Sequence, residues 1–237
     1  MTRRAFVLAA LLALAAASAW AAQAQEVSFR TDDGVTIVGS LSLPAHPGPG
    51  VILIHALGRS REDWQSFATR LADAGFVALA IDLRGHGASG PLPEGTDLND
   101  LTRMTNDVRA ARAFLATRHE VAPNRIGIAG ASIGANLAIL VAAGDPTVRS
   151  LVLLSPGLDY RGLRPEAAMK KYGDRPAMLV ASQEDSYATD SARKLATDGT
   201  GVRDLRILTG AGHGTVMLGR QPDLSASLVD WFRRTLL

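Results

Sequence analysis

Arg125-Ile126-Gly127-Ile128-Ala129-Gly130-Ala131-Ser132-Ile133-Gly134-Ala135-Asn136-Leu137 runs from a short apolar segment into a second one with helical spacing. Gly130-Ala131-Ser132-Ile133-Gly134 lies at the junction. Strand, Gly-x-Ser-x-Gly and helix in that order predict a sharp turn that lifts the Ser132 hydroxyl clear of the backbone, with glycines letting strand and helix approach closely. Taken alone the pentapeptide is a weak signal, because small-residue segments are common. Its weight depends on a base, an orienting acid and oxyanion donors elsewhere in the chain.

Outward from this stretch, apolar runs alternate with amphipathic ones. Residues 51–54, 76–81, 151–154, 178–181 and 205–208 read as strands, the first of them suited to cover on both faces. Trp64, Phe67, Ala68 and Leu71 give one helical face that Gly75 stops, and Ser60 with Asp63 approximates a capping box ahead of it. Further helices are expected over Met104, Val108, Ala111 and Leu115, over residues 133–143 and 190–196, and over 223–234 with Leu224, Leu228 and Phe232 on one stripe. Residues 27–30 and 35–41, separated by Asp32-Asp33-Gly34, read as an opening antiparallel pair. Residues 91–100 read as loop, and Pro123-Asn124 is expected to break the chain before the central strand. Residues 155–176 hold room for one short helix, too little for a lid domain. No internal duplication accompanies the alternation, so residues 25–237 read as a single α/β domain, a mostly parallel αβα sandwich.

Composition narrows the chemistry. The 237 residues are 47% hydrophobic, enough for a substantial core, and include no cysteine. That excludes disulfides, a thiol nucleophile and a cysteine metal site. Arg3 and Arg4 precede an Ala/Leu-rich run ending near Ala22-Gln23-Ala24, the pattern of a secretory signal over residues 1–24. Thr-Arg-Arg-x-Phe-Val-Leu resembles a twin-arginine export signal, so the expected location is the bacterial periplasm or outside the cell, without membrane insertion after cleavage. The two leader arginines account for the net charge of +2, and the remainder is balanced. With no basic block in the chain, a nucleic-acid partner is a poor expectation.

A serine hydroxyl needs a base, and the base an orienting acid. His213, in Gly210-Ala211-Gly212-His213-Gly214 after an expected strand, is the best base among five histidines. Asp185, in Ser182-Gln183-Glu184-Asp185 at another strand end, is the favoured acid, with Glu184 the runner-up because its longer side chain could reach the same nitrogen. The chain order Ser132, Asp185, His213 is one of the known orders of such triads. Backbone N–H groups of Leu57 and Ile133 are the candidate oxyanion donors. His55, Asp82 and His86 fall on two glycine-rich loops without recognisable coordination spacing, so structural hydrogen bonding is expected of them. No metal or cofactor is expected. Trp64, Phe67 and Trp231 fit packed helix faces, His46 a surface loop, and His119 a helix end.

These residues carry a likeness: His55-Ala56-Leu57-Gly58, Asp82-Leu83-Arg84-Gly85-His86-Gly87-Ala88-Ser89, Gly130-Ala131-Ser132-Ile133-Gly134, Asp185 and Gly212-His213-Gly214. Across nearly all of residues 25–237 the chain resembles the α/β-hydrolase superfamily. The resemblance implies a three-layer fold on a mostly parallel sheet of about eight strands, with one antiparallel early strand and a Ser/Asp/His acyl-transfer site. The short length and minimal lid are similar to dienelactone-hydrolase-like and small serine carboxylesterase members. Ser132 replaces the cysteine of dienelactone hydrolases proper, and Ala56 replaces the commoner glycine after the loop histidine.

The leading expectation is hydrolysis of small or medium carboxylic esters through an acyl-serine. Thioesterase and peptidase or amidase activities use the same machinery. An inactive scaffold serving as a periplasmic binding or interaction protein is the competing class, since fold does not dictate function. Reaction with a serine-directed fluorophosphonate separates the two classes.

Overall fold

The computed structural model describes residues 24–92 and 101–237. The expected leader lies outside the described residues but for Ala24, and so does most of the 91–100 loop. In chain order the elements are β1 (Gln25–Arg30), β2 (Thr36–Ser42), β3 (Gly48–Ile54), α1 (Gln65–Asp73), β4 (Val77–Ile81), α2 (Thr105–Ala116), β5 (Val121–Ala131) and α3 (Ile133–Gly144). There follow β6 (Val148–Leu154), α4 (Glu166–Tyr172), β7 (Ala177–Ser182), α5 (Ser186–Ala196), β8 (Arg203–Leu208), α6 (Val216–Arg220) and α7 (Leu224–Leu236). Single turns of 3-10 helix precede α1 and α2.

The strands form one sheet in the order β1-β2-β4-β3-β5-β6-β7-β8. β2 runs antiparallel to both neighbours, and every later pairing is parallel. The Asp32-Asp33-Gly34 turn forces the first reversal, while each parallel pair needs a crossover, which the helices supply. Alternation along the strands splits the core into two layers. On β3, Ile52 and Ile54 lie in the same core layer as Val108, Ile139 and Leu195 from α2, α3 and α5, whereas Val51 and Leu53 lie in the other layer with Phe67, Leu228 and Phe232 from α1 and α7. The central strands are buried on both faces, as their continuous apolar runs require.

Three details depart from the sequence reading. Pro123-Asn124 does not end the chain segment before the central strand: β5 runs through both residues, with Asn124 at φ 57° and a register irregularity opposite Gly48/Gly50. The strand absorbs them near its start, where it can bulge without losing the later ladder. Ser60 caps its turn by accepting from the Glu62 N–H, but Asp63 does not complete a box; its carboxylate faces Arg59 and Thr215. The short helix α6 directly after the His213 loop was not anticipated. Residues 155–176 do carry one short helix, α4.

Candidate active site

β5 ends at Ala131 and α3 starts at Ile133, so Ser132 is the whole of the turn between them. Its backbone sits at φ 55°, ψ −117°, a region a residue with a Cβ occupies only at a cost of about 1–3 kcal/mol. The surroundings hold it there: its N–H donates to Leu154 O at 2.8 Å, and its carbonyl accepts from Ala135 N at 2.9 Å. The flanking glycines are steric necessities. A Cβ on Gly130 would lie 2.2 Å from Gly134 O, and one on Gly134 would lie 2.4 Å from Ile54 O. The strained serine is therefore a product of three backbones packed where only hydrogen fits.

Asp185 and His213 meet across the ends of β7 and β8. Asp185 Oδ2 is 2.5 Å from His213 Nδ1, and Asp185 Oδ1 accepts the Ala188 N–H at 3.2 Å as the cap of α5. The helix-capping and histidine-orienting roles are thus divided between its two oxygens. A proton on Nδ1 leaves Nε2 as the acceptor nitrogen. His213 is 52% exposed at its side chain and lines the same cavity as Ser132.

Glu184, the rival acid, points elsewhere. Its Oε2 accepts from the Ser182 hydroxyl at 2.5 Å and its Oε1 from the Gly210 N–H at 2.9 Å; these bonds, the hydroxyl's first, hold its carboxyl below the usual glutamate range. Ser182 Oγ in turn accepts from Ala211 N at 3.1 Å and Gly212 N at 3.2 Å. Three successive N–H groups before His213 are thus captured by two side chains at the end of β7. Beyond His213, Gly214 N donates to Ser155 Oγ at 3.0 Å, and the Thr215 hydroxyl donates to Asp63 at 2.9 Å. Sequence reasoning missed Ser155, Ser182 and the Asp63–Thr215 pair because each acts on a residue tens of positions away.

The loop after β3 supplies the opposite wall. Among the described residues neither Leu57 N–H nor Ile133 N–H has an acceptor, and Ile133 opens α3, whose aligned peptides place partial positive charge there. His55 is fully buried: Nδ1 donates to Ala56 O at 2.7 Å, and Nε2 accepts the Leu83 N–H at 3.0 Å. Burial lowers its pKa and keeps the ring neutral. His86 repeats the arrangement, donating to Arg84 O at 3.0 Å and accepting from Gly58 N at 3.1 Å. Asp82 accepts from the backbone of Arg61 at 2.7 Å and of Ala88 at 2.9 Å. All three residues stitch the 55–61 loop to the 82–90 loop. Arg84, buried between Asp33 and Asp107, anchors the second loop from below.

These walls enclose a cavity of about 400 Å³ whose lining includes Leu57, Arg59, Ser132, Tyr160, Tyr187 and His213. Its roof is tied down. Asn136, fully buried, donates to Gly157 O at 2.9 Å and Leu163 O at 3.2 Å and accepts from Gly157 N at 3.0 Å. The Tyr187 hydroxyl donates to Asp159 O at 2.6 Å. A larger cavity of about 740 Å³ beside α2, lined by Phe29, Arg109 and Phe114, contains none of the groups described above. Among the described residues no three His, Asp or Glu side chains gather as a metal site would need, and no helix is long and apolar enough to cross a membrane.

A family model described as serine aminopeptidase, S33, matches residues 45–183, well over half of the chain. The chain belongs to this family. The family lies within the α/β-hydrolase superfamily. Among solved structures, the Pyrococcus furiosus esterase Pf2001 superposes with a TM-score of 0.75 at 18% identity, covering 91% of this chain and 93% of that one. Dienelactone hydrolase from Anabaena variabilis superposes at 0.71 and 21%, covering 91% and 100%. Both establish the three-layer fold and its mostly parallel sheet. Among curated proteins, the thiohydrolase apmlB of Arthrinium phaeospermum is 29% identical over 151 residues, 63% of this chain and 48% of that protein. The chain spans less than half the length of several curated relatives it matches.

Proposed function

We propose that the protein hydrolyses small or medium carboxylic esters through an acyl-Ser132 intermediate. The observation that carries this reading is the strained Ser132 turn sharing one cavity with a histidine whose Nδ1 is held by Asp185. His213 Nε2 takes the hydroxyl proton as Ser132 Oγ attacks the carbonyl carbon, and returns it to the alcohol oxygen as the ester C–O bond breaks. The same nitrogen then deprotonates water, which attacks the acyl-serine and releases acid and free Ser132. Asp185 steadies the tautomer and the imidazolium. The Leu57 and Ile133 N–H groups receive the oxyanion, an interaction worth about 3–4 kcal/mol per donor in such sites.

The pinned connector over the cavity favours acyl groups of modest length. The family description names an aminopeptidase and one relative a thiohydrolase, so amides and thioesters belong in the test panel. Purified protein is expected to turn over 4-nitrophenyl acetate or butyrate faster than the matching thioesters and amino-acid 4-nitroanilides. A fluorophosphonate is expected to label Ser132 stoichiometrically. The absence of both turnover and a Ser132 adduct would sink the enzyme reading and favour a binding role. Export with cleavage after Ala24 is part of the same proposal, checked by sequencing the N-terminus of periplasmic protein.

A further inference from the structure

The lining of the Ser132 cavity has a marked charge asymmetry. Among the described residues that line it, Arg59 is the only ionisable cation apart from His213, and none is a carboxylate. Arg59 sits two residues beyond Leu57, on the loop assigned to the oxyanion, and its side chain is 56% exposed. Its guanidinium is aimed by one edge: Nε donates to Asp63 Oδ2 at 2.8 Å and Nη2 to Asp63 Oδ1 at 2.6 Å. Asp63, only 12% exposed, also accepts the Thr215 hydroxyl at 2.9 Å, so the carboxylate is itself fixed between the two loops that flank the cavity. A guanidinium has five N–H donors in a rigid fork. Two are used here, and among the described residues Nη1 has no acceptor.

An arginine that lines a reaction cavity and is held by one edge keeps two parallel donors on its end that match a carboxylate. The rest of the lining, with Ala56, Leu57, Tyr160, Ala188 and Val216, suits an apolar chain between the ester and the charge. We infer that Arg59 is a subsite for a carboxylate carried by the substrate, so that the preferred substrates are esters bearing a free carboxylate near the scissile bond. This inference rests on the ester-hydrolase reading and narrows its substrate class. The carboxylate can belong to the acyl part or to the leaving group, and the two are separated by choice of substrate.

The test compares kcat/KM for matched anionic and neutral esters at pH 7.5: 4-nitrophenyl hemiglutarate against 4-nitrophenyl pentanoate for the acyl side, and 4-acetoxybenzoate against 4-acetoxybenzamide for the leaving group. The native protein is expected to favour the anionic member of one pair at least tenfold. That ratio is expected to collapse about tenfold in Arg59→Met, to be partly retained in Arg59→Lys, and to shrink as salt rises from 0.05 to 0.5 M. Should Arg59→Met fail to fold, inhibition of native pentanoate hydrolysis by glutarate but not by glutaramide gives the same answer. An anionic-to-neutral ratio near one in both pairs, or one unchanged in Arg59→Met, overturns the subsite while continued hydrolysis of the neutral ester leaves the ester-hydrolase reading standing. Loss of both, with no ester hydrolysed and no Ser132 adduct formed, overturns the two together.

Discussion

Replacing Ser182 by alanine tests whether the histidine loop is placed by side chains far from the chemistry. Ser182 Oγ is fully buried, donates to Glu184 and accepts from the N–H groups of Ala211 and Gly212. Alanine removes all three bonds and adds no bulk. A neutral hydrogen bond contributes about 1 kcal/mol net, but a buried donor left without an acceptor costs about 1–3 kcal/mol. Ala211 is fully buried, so its N–H carries the full penalty, whereas Gly212 is partly exposed and water relieves it. The sum is a loss of about 2–4 kcal/mol if the loop stays in place. If it relaxes, the cost reappears as displacement of His213, and a shift of about 1 Å at a reacting group can lower turnover about a hundredfold. We therefore expect Ser182→Ala to lose about 2–4 kcal/mol in urea melts or to lower kcat for 4-nitrophenyl acetate by about 10–100-fold, with KM changed less than about threefold. Stability within about 0.5 kcal/mol of the native protein together with kcat within about twofold would refute the reasoning.

Three further outcomes follow from the same geometry. Asp185→Asn is expected to lower kcat by about 10³–10⁴-fold, because the amide no longer selects the Nδ1-protonated tautomer, while Glu184→Gln lowers it less than about tenfold; reversed ranking would show that Glu184 is the acid. Gly134→Ala drives a methyl onto Ile54 O, 2.4 Å away, so it is expected to destabilise the fold by about 3 kcal/mol or more and to abolish Ser132 labelling; a native-like melting curve would contradict the close approach. His55 is neutral in the fold because burial lowers its pKa from 6.5. Between the lowered and the unfolded pKa only the unfolded chain binds the proton, so this group's share of stability is complete above pH 7 and declines as pH falls through 6.5, by at most about 1.4 kcal/mol per pH unit. His55→Gln, though less stable overall, should show a flatter decline between pH 7 and 5 in urea melts; an unchanged slope would rule out His55 as the source.

The elements that the sequence made legible are those whose signals are local. Periodicity marked the core strands and most of the helices, and Asp32-Asp33-Gly34 marked the first reversal, which sets β2 antiparallel to β1. Gly130 and Gly134 announced the tight turn because close backbone approach leaves glycine as the only residue that fits, wherever the partner chain comes from. Where two local readings competed, the sequence could not arbitrate. Pro123-Asn124 looked like a break, but β5 runs through it, pairing with β3 at Val121 before it and again from Ile126 after it. Ser60 and Asp63 looked like a capping box until Arg59 and Thr215 offered Asp63 charge-assisted and hydroxyl partners.

What the chain by itself determined is the set of chemically able residues and their placement at strand ends: Ser132, Asp185 and His213 could be named from type, neighbours and order alone. The choice of Asp185 over Glu184 rested on a narrower margin, and it is tertiary structure that sends one carboxylate to the imidazole and the other to the loop backbone. The same is true of Ser155, Ser182, Asn136 and the open edge of Arg59, which no spacing could reveal. Secondary structure is written in contacts among near neighbours, so its pattern survives in the string. The direction of a side chain's hydrogen bond is decided by a donor that folding brings from 20 to 150 residues away, and only the packed sheet specifies which donor arrives.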